Sequence, residues 1–298
     1  MNYTTLISVD QFKPLQASGQ PLMVFDCSFD LMKAGAGHAM YLESHIPGAV
    51  YANLDTALSH APGVAQSGLP ADVPANAAAS GGRHPLPSRE AFAAWLAGVG
   101  FSNTMQAVVY DRQGANYCGR LWWMLKWAGH ENVAVLDGGL QAWVASGGAV
   151  ASGAESAHAP SQFALTPARA VLATTTTVAD NLGRPIQTLI DARGAPRYRG
   201  EVEPLDPVAG HIPGALNRPF TQNIGEDGRF KPAAQLKAEF EALLAGRNPA
   251  TVVHHCGSGV SAVPNIIAME LAGMGRSALY AGSWSEWCSD ASRPFAQG

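Results

Sequence analysis

Cys256 has the surroundings of a reactive thiol. It opens the run Cys256-Gly257-Ser258-Gly259-Val260-Ser261-Ala262, after the apolar stretch Thr251–His255 and ahead of a helical pattern over 260–272. Two glycines at a strand-to-helix turn let successive backbone N–H groups converge. Such a nest, with the dipole of the following helix, stabilises an anion. The same field favours the thiolate, which is the nucleophilic form of cysteine. A buried cysteine with a packing role is the plainer alternative. Phosphate-ester hydrolysis from such a loop needs an arginine six positions on to clamp the phosphate oxygens, and that position is Ala262. A Cys-His-Asn protease does not place its cysteine in a small repeated α/β unit.

The elements that must carry this loop are legible as short apolar runs alternating with helical patterns. Residues 22–25, 107–110, 133–136, 188–190, 251–255 and 277–280 read as buried strands. Helical patterns fall at 88–98, 117–128, 234–245 and 260–272. Strand–helix alternation predicts parallel sheets flanked by helices, an α/β fold in which chemistry sits beyond the carboxyl ends of the strands. Cys256 lies at such an end.

The pattern occurs twice. His45-Ile46-Pro47-Gly48-Ala49 returns as His211-Ile212-Pro213-Gly214-Ala215. Each copy is preceded by an apolar run ending in Asp (Asp26, Asp191). Each is followed by a second such run (to Asp111, to His255) and a Gly-Trp segment (136–143, 280–287). Four landmarks in the same order mean a duplicated domain. The predicted layout is a first domain over 1–150, a linker over 151–169, rich in small and polar residues, and a second domain over 170–298. The first half is longer, and its surplus at 57–87 reads as a long loop. His45 and His211 recur in both halves, so both are expected to be structural turn residues.

Composition bounds the function. The 298 residues are 47% hydrophobic and 14% charged, with a net charge of −4, which suits a soluble globular chain. No basic run stands out, so nucleic acid is not an expected partner. No apolar run is long enough to span a membrane, and the first residues lack the features of a signal peptide. Cys27, Cys118, Cys256 and Cys288 form no CxxC pair, which argues against a zinc site or a disulfide scaffold. Free thiols point to a reducing, cytoplasmic setting.

The Cys256 loop, the paired HIPGA motifs and the closing LDGG and GSW segments together resemble the 3-mercaptopyruvate/thiosulfate sulfurtransferase family. The loop is similar to the CGSGV(T/S)A signature of the mercaptopyruvate enzymes, whereas thiosulfate-preferring rhodaneses carry Arg and Lys after the Cys. The resemblance implies two tandem rhodanese-like domains, the first degenerate and the second catalytic. In the first half, Asp111-Arg112 follows the strand and no Cys stands at the aligned spot. By the same resemblance, Arg197 holds the donor's carboxylate, and Gly257, Gly259, Val260 and Ser261 line the substrate. Ser258, His84 and Asp55 match a Ser-His-Asp arrangement beside the nucleophile, with His84 and Asp55 coming from the first domain. A second arginine of many mercaptopyruvate enzymes, nine residues after the first, is here Asp206; Arg193 and Arg199 are nearby cations.

The expected reaction moves sulfur from 3-mercaptopyruvate to a thiophilic acceptor (cyanide, a thiol or thioredoxin) through a Cys256 persulfide, with no metal or organic cofactor. Thiosulfate as donor, and a non-catalytic sulfur-carrier or binding module, are the alternatives.

Overall fold

A computed structural model describes residues 2–33, 35–60 and 78–298. Most of the stretch expected as a long loop, residues 61–77, lies outside the described residues. The chain divides into two compact units. One comprises residues up to 79 with 87–169 and 226–229; the other comprises 80–86, 170–225 and 230–298.

The first unit runs β1 (Leu6–Ile7), α1 (Val9–Ala17), β2 (Leu22–Asp26), α2 (Ala36–Glu43), β3 (Val50–Tyr51), α3 (Arg89–Gly98), β4 (Gln106–Tyr110), α4 (Cys118–Trp127), β5 (Val133–Leu136) and α5 (Gly139–Ala145). Its five parallel strands lie in the order β1-β5-β4-β2-β3. The second unit runs β6 (Leu172–Ala173), α6 (Thr175–Asp180), β7 (Thr188–Asp191), α7 (Ala195–Tyr198), β8 (Leu216–Asn217), α8 (Ala233–Leu244), β9 (Val252–His255), α9 (Val263–Leu271), β10 (Ala278–Tyr280) and α10 (Ser283–Trp287). Its parallel order, β6-β10-β9-β7-β8, repeats the first. The central strands are buried on both faces, which is why they read as unbroken apolar runs. The edge strands β1, β3, β6 and β8 are two residues each, too short to leave a periodic signature.

The two HIPGA segments are built alike. His45 Nδ1 pairs with Tyr41 O at 2.7 Å and stacks on the Tyr41 ring, and His211 Nδ1 pairs with Tyr198 O at 2.8 Å and stacks on Tyr198. Each tyrosine hydroxyl donates to the alanine that ends the motif, Ala49 or Ala215. Gly48 and Gly214 take φ of 77° and 78°, a turn conformation that glycine reaches without steric penalty. A backbone bridge then fastens each histidine to a later segment, His45 to Ala151 and His211 to Ala296. Residues 151–169, read as a linker, run along the first unit: Ser161 N–H donates to Ala97 O and Arg169 N–H to Lys126 O.

In the second unit, Leu189, Val253, Tyr280, Trp284 and Trp287 pack on one face of the sheet, and Ile190, Phe240, Val252 and Met269 on the other. Alternation along β9 sends His254 to the α8–α9 side. There its Nε2 meets Met269 Sδ at 3.1 Å and its ring meets Phe240 edge-on. His255 goes to the opposite face. Both rings are fully buried.

Burial pushes the His254 imidazole down to about 3, helped by neighbouring His255 and Arg218; His255 is lowered chiefly by burial as well. A base whose folded value is depressed leaves the unfolded chain holding more protons. Its contribution to stability is therefore complete above about pH 6.5 and declines as pH falls below that, by about 1.4 kcal/mol per pH unit for His254, with His255 acting in the same direction. Thermal melts should show Tm falling steadily between pH 6.5 and 4. His254→Leu should flatten that decline relative to its own neutral-pH value; an unchanged slope would assign the acid sensitivity elsewhere.

Candidate active site

In the second unit the chain leaves β9 toward β10 on one side and leaves β7 toward β8 on the other. The strand order reverses between β9 and β7, and at that point a parallel sheet opens a crevice beyond its carboxyl ends. Cys256 follows β9 directly there, 2% exposed. Its N–H donates to Ser283 Oγ at 3.0 Å, its carbonyl accepts Trp284 N–H at 3.0 Å, and Gly257 O accepts Ser285 N–H at 2.9 Å. The start of α10 thus fastens the loop. Ser283, which the sequence reading missed, holds a φ of 56° while clamping Cys256 and donating to Tyr280 O. A non-glycine residue in the left-handed region is strained and needs such support.

Within the loop, the backbone N–H groups of Gly257, Ser258, Val260, Ser261 and Ala262 donate to no protein acceptor among the described residues. α9 begins at Val263. Gly259 is required twice over: its φ is 75°, and a Cβ there would lie 2.2 Å from Ala281 O. The turn is therefore a set of unused donors at a helix N-terminus, the arrangement that stabilises an anion.

The first unit displays the same turn already filled. Asp111 follows β4 as Cys256 follows β9. Its Oδ1 accepts the N–H groups of Gln113 (2.9 Å) and Ala115 (3.1 Å), and its Oδ2 those of Tyr117 (2.8 Å) and Cys118 (3.0 Å). A tethered carboxylate satisfies that nest. Cys118 lies buried at the head of α4, and burial followed by the Asp111 charge pushes its thiol well up. Burial does the same to Cys27, reinforced by Asp26 and Asp111. Cys288 is raised by burial and by Asp206.

Ser258 and His84 meet: His84 Nδ1 lies 2.7 Å from Ser258 Oγ, both side chains buried. The sequence placed His84 with the first domain. Residues 80–86 instead pack into the second unit, with Arg83 N–H bound to Ser285 Oγ at 2.9 Å. Asp55 belongs to the first unit, on the exposed turn after β3, where Asn53 Oδ1 caps its N–H at 2.8 Å. Val260 is buried and Ser261 half-buried in the loop.

Arg197 does stand over the loop. A Cβ on Gly257 would lie 3.6 Å from both of its terminal nitrogens, and 3.0 Å from Nη2 of Arg83. The Cys256 loop carries no cation of its own, yet two guanidiniums cover it. Asp206 joins them, accepting from Arg83 Nη1 at 2.6 Å and Arg197 Nη2 at 3.2 Å. Glu203 takes Arg197 Nη2 at 2.6 Å and Arg193 Nη1 at 3.3 Å. Burial holds the Asp206 carboxyl above its ordinary range, although Arg83 and Arg197 oppose that. Arg193 is committed to Asp191 at 2.7 Å. Burial opposes ionisation of Asp191, and the nearby His255 ring and Arg193 together override it, so the carboxyl lies below its ordinary value. Arg199 pairs with Glu201 in solvent, away from the crevice. Arg83 had one available signal, its place beside His84.

Among the described residues no cluster of His, Cys, Asp and Glu could hold a metal ion, and no helix is long and apolar enough to cross a membrane. Residues 8–146 and 174–290 each match the rhodanese-like domain family. The chain is 43% identical over its full length, and that of the relative, to a protein of Pseudomonas aeruginosa named "probable 3-mercaptopyruvate sulfurtransferase". It is 34% identical to the thiosulfate sulfurtransferase of Bos taurus, covering 90% of this chain and 86% of that one. The crystal structure of SseA from Escherichia coli, titled a 3-mercaptopyruvate sulfotransferase, superposes with a TM-score of 0.76. It covers 95% of this chain and all of its own, at 29% identity.

The filled and unfilled nests predict opposite mutational behaviour. Asp111→Ala removes a charged acceptor from four N–H groups, three of them buried, and should destabilise the protein by about 2–5 kcal/mol, measured by urea denaturation. Gly259→Ala should leave far-UV circular dichroism nearly intact and distort the loop, with loss of alkylation of Cys256 by iodoacetate, a small anion. Unaltered alkylation would remove the nest from consideration.

Proposed function

The chain belongs to the rhodanese family, and from that premise we propose that it is a sulfurtransferase that loads sulfur from 3-mercaptopyruvate onto Cys256 and passes it to a thiophilic acceptor. The observation that carries this reading is the vacant set of N–H donors after Cys256, where the first unit keeps a carboxylate. A persulfide is an anion of the size and charge such a nest favours.

The Cys256 thiolate attacks the donor's sulfur. The carbon–sulfur bond breaks, its electron pair passes to the adjacent carbon as the enolate of pyruvate, and the proton of the donor's thiol ends on that carbon. Pyruvate leaves and Cys256 holds a persulfide anion. An acceptor then takes the outer sulfur: cyanide leaves as thiocyanate, a thiolate leaves as its own persulfide, and the Cys256 thiolate returns. Both half-reactions balance without a redox partner, which makes the cycle ping-pong. Ser258 and His84, hydrogen-bonded at 2.7 Å, offer the proton path to the enolate carbon. Asp55→Asn tests the third member expected from the sequence. Arg197, with Nη1 free of protein acceptors among the described residues, binds the donor's carboxylate. A thiol or thioredoxin-like acceptor in a reducing, cytoplasmic setting completes the reading.

Cys256→Ser should abolish thiocyanate formation, while Cys27→Ser, Cys118→Ser and Cys288→Ser keep most of it. Intact-mass analysis after donor treatment should find one added sulfur, lost in Cys256→Ser. Arg197→Ala should lower kcat/KM for mercaptopyruvate roughly ten- to a hundredfold, and Arg197→Lys should recover only part, because the planar fork is gone. Side-by-side kcat/KM values decide the donor: faster turnover of thiosulfate would reassign it, and no turnover of either with cyanide would leave a carrier or binding module.

A further inference from the structure

Arg83 and Arg197 reach the same glycine from different parts of the second unit, and one carboxylate holds them side by side. Asp206 accepts from both, so each guanidinium is fixed by a partner that leaves other donors unused. Arg83 Nε is buried with no acceptor, and its Nη2 sits against the space beside Gly257 without one among the described residues. Arg197 Nη1 likewise has no acceptor among the described residues, on a side chain that is 21% exposed. A buried guanidinium donor with no partner calls for an explanation, because the unmet hydrogen bond costs free energy. Arg83, with that buried donor, and Arg197, with its open Nη1, converge on the space beside Gly257 as a paired fork, which is the geometry of carboxylate recognition. Arg193, by contrast, is spent on Asp191, Glu203 and the carbonyl of Gly210.

The local charges also select among anions. Arg83, Arg193 and Arg197 face Asp191, Glu203 and Asp206, three against three. With no surplus of positive charge, oriented donors decide binding more than net attraction, which favours a planar monoanionic carboxylate over a compact dianion.

We propose that Arg83 is a second carboxylate-binding, specificity-determining residue for the sulfur donor, working beside Arg197 and positioned by Asp206. The guanidinium absent from position 206 is thus supplied from position 83. The proposal rests on the reading of the chain as a sulfurtransferase with a carboxylate donor.

Arg83→Ala should raise KM for mercaptopyruvate roughly ten- to a hundredfold with a smaller change in kcat. Discharge of a preformed Cys256 persulfide to cyanide should stay at the wild-type rate, since pyruvate has departed. Adding Asp206→Arg to Arg83→Ala should return part of the lost affinity by restoring a cation from the other side of the pair. If Arg83→Ala does not fold, Arg83→Gln, which keeps an N–H group for Asp206, is judged by the same criteria. A wild-type KM in the folded variant, or equal loss in both half-reactions, overturns the assignment. Wild-type protein inert toward mercaptopyruvate would instead refute the functional reading itself.

Discussion

The interaction on which the site depends is between an anion and a ring of backbone N–H groups at the carboxyl end of a parallel strand. The sheet fixes where the turn begins, the helix after it supplies aligned dipoles, and positive φ within the turn (Gly114 and Ala115 in the first unit, Gly259 in the second) lets the donors converge. In the first unit a side chain of the turn, Asp111, provides the anion permanently; after Cys256 the donors are left unused, and the anion there is the persulfide proposed above. The two halves thus differ in who supplies the negative charge, and in backbone as well, since Ala115 takes a positive φ and Val260 does not.

Around the vacant turn, charge is balanced locally. Asp191 neutralises Arg193 at the end of β7, and Glu203 and Asp206 tie down the mobile ends of Arg197 and Arg83. Long cationic side chains lose conformational freedom when they bind a substrate. Here much of that freedom is already removed by carboxylates that are themselves buried, 3% and 4% exposed at their side chains. The crevice is preorganised, and a ligand meets guanidiniums with fixed positions.

Much of this was legible in the residues. The central strands announced themselves because strands buried on both faces need unbroken apolar runs. The repeat was visible because the His-Tyr stacking at each HIPGA segment depends on the same five residues in both halves. The loop after Cys256 was legible from its two glycines, one of which has no substitute beside Ala281. The affiliation of His84 was not, because sequence order assigns a segment to the half that contains it, whereas residues 80–86 pack where Ser258 and Ser285 offer hydrogen bonds. Arg83 and Ser283 were missed for a related reason. Their roles come from partners 123 and 27 residues away, and no local periodicity records such partners. Asp206 read as a defect, a missing arginine, until the side chain it holds was known.

The fastening of each half has a structural corollary. His45 with Tyr41 and Ala151, and His211 with Tyr198 and Ala296, close their own units using only residues of those units. Neither closure uses the side chain of Asp111 or of Cys256, although Arg112, next to Asp111, donates to the carbonyls of Met40 and Ser44 beside His45. One half can therefore carry a carboxylate and the other a cysteine at the turn while both keep the same closure. The side chain at the chemical turn and the residues of the closure are thus separable parts of the same 298-residue chain.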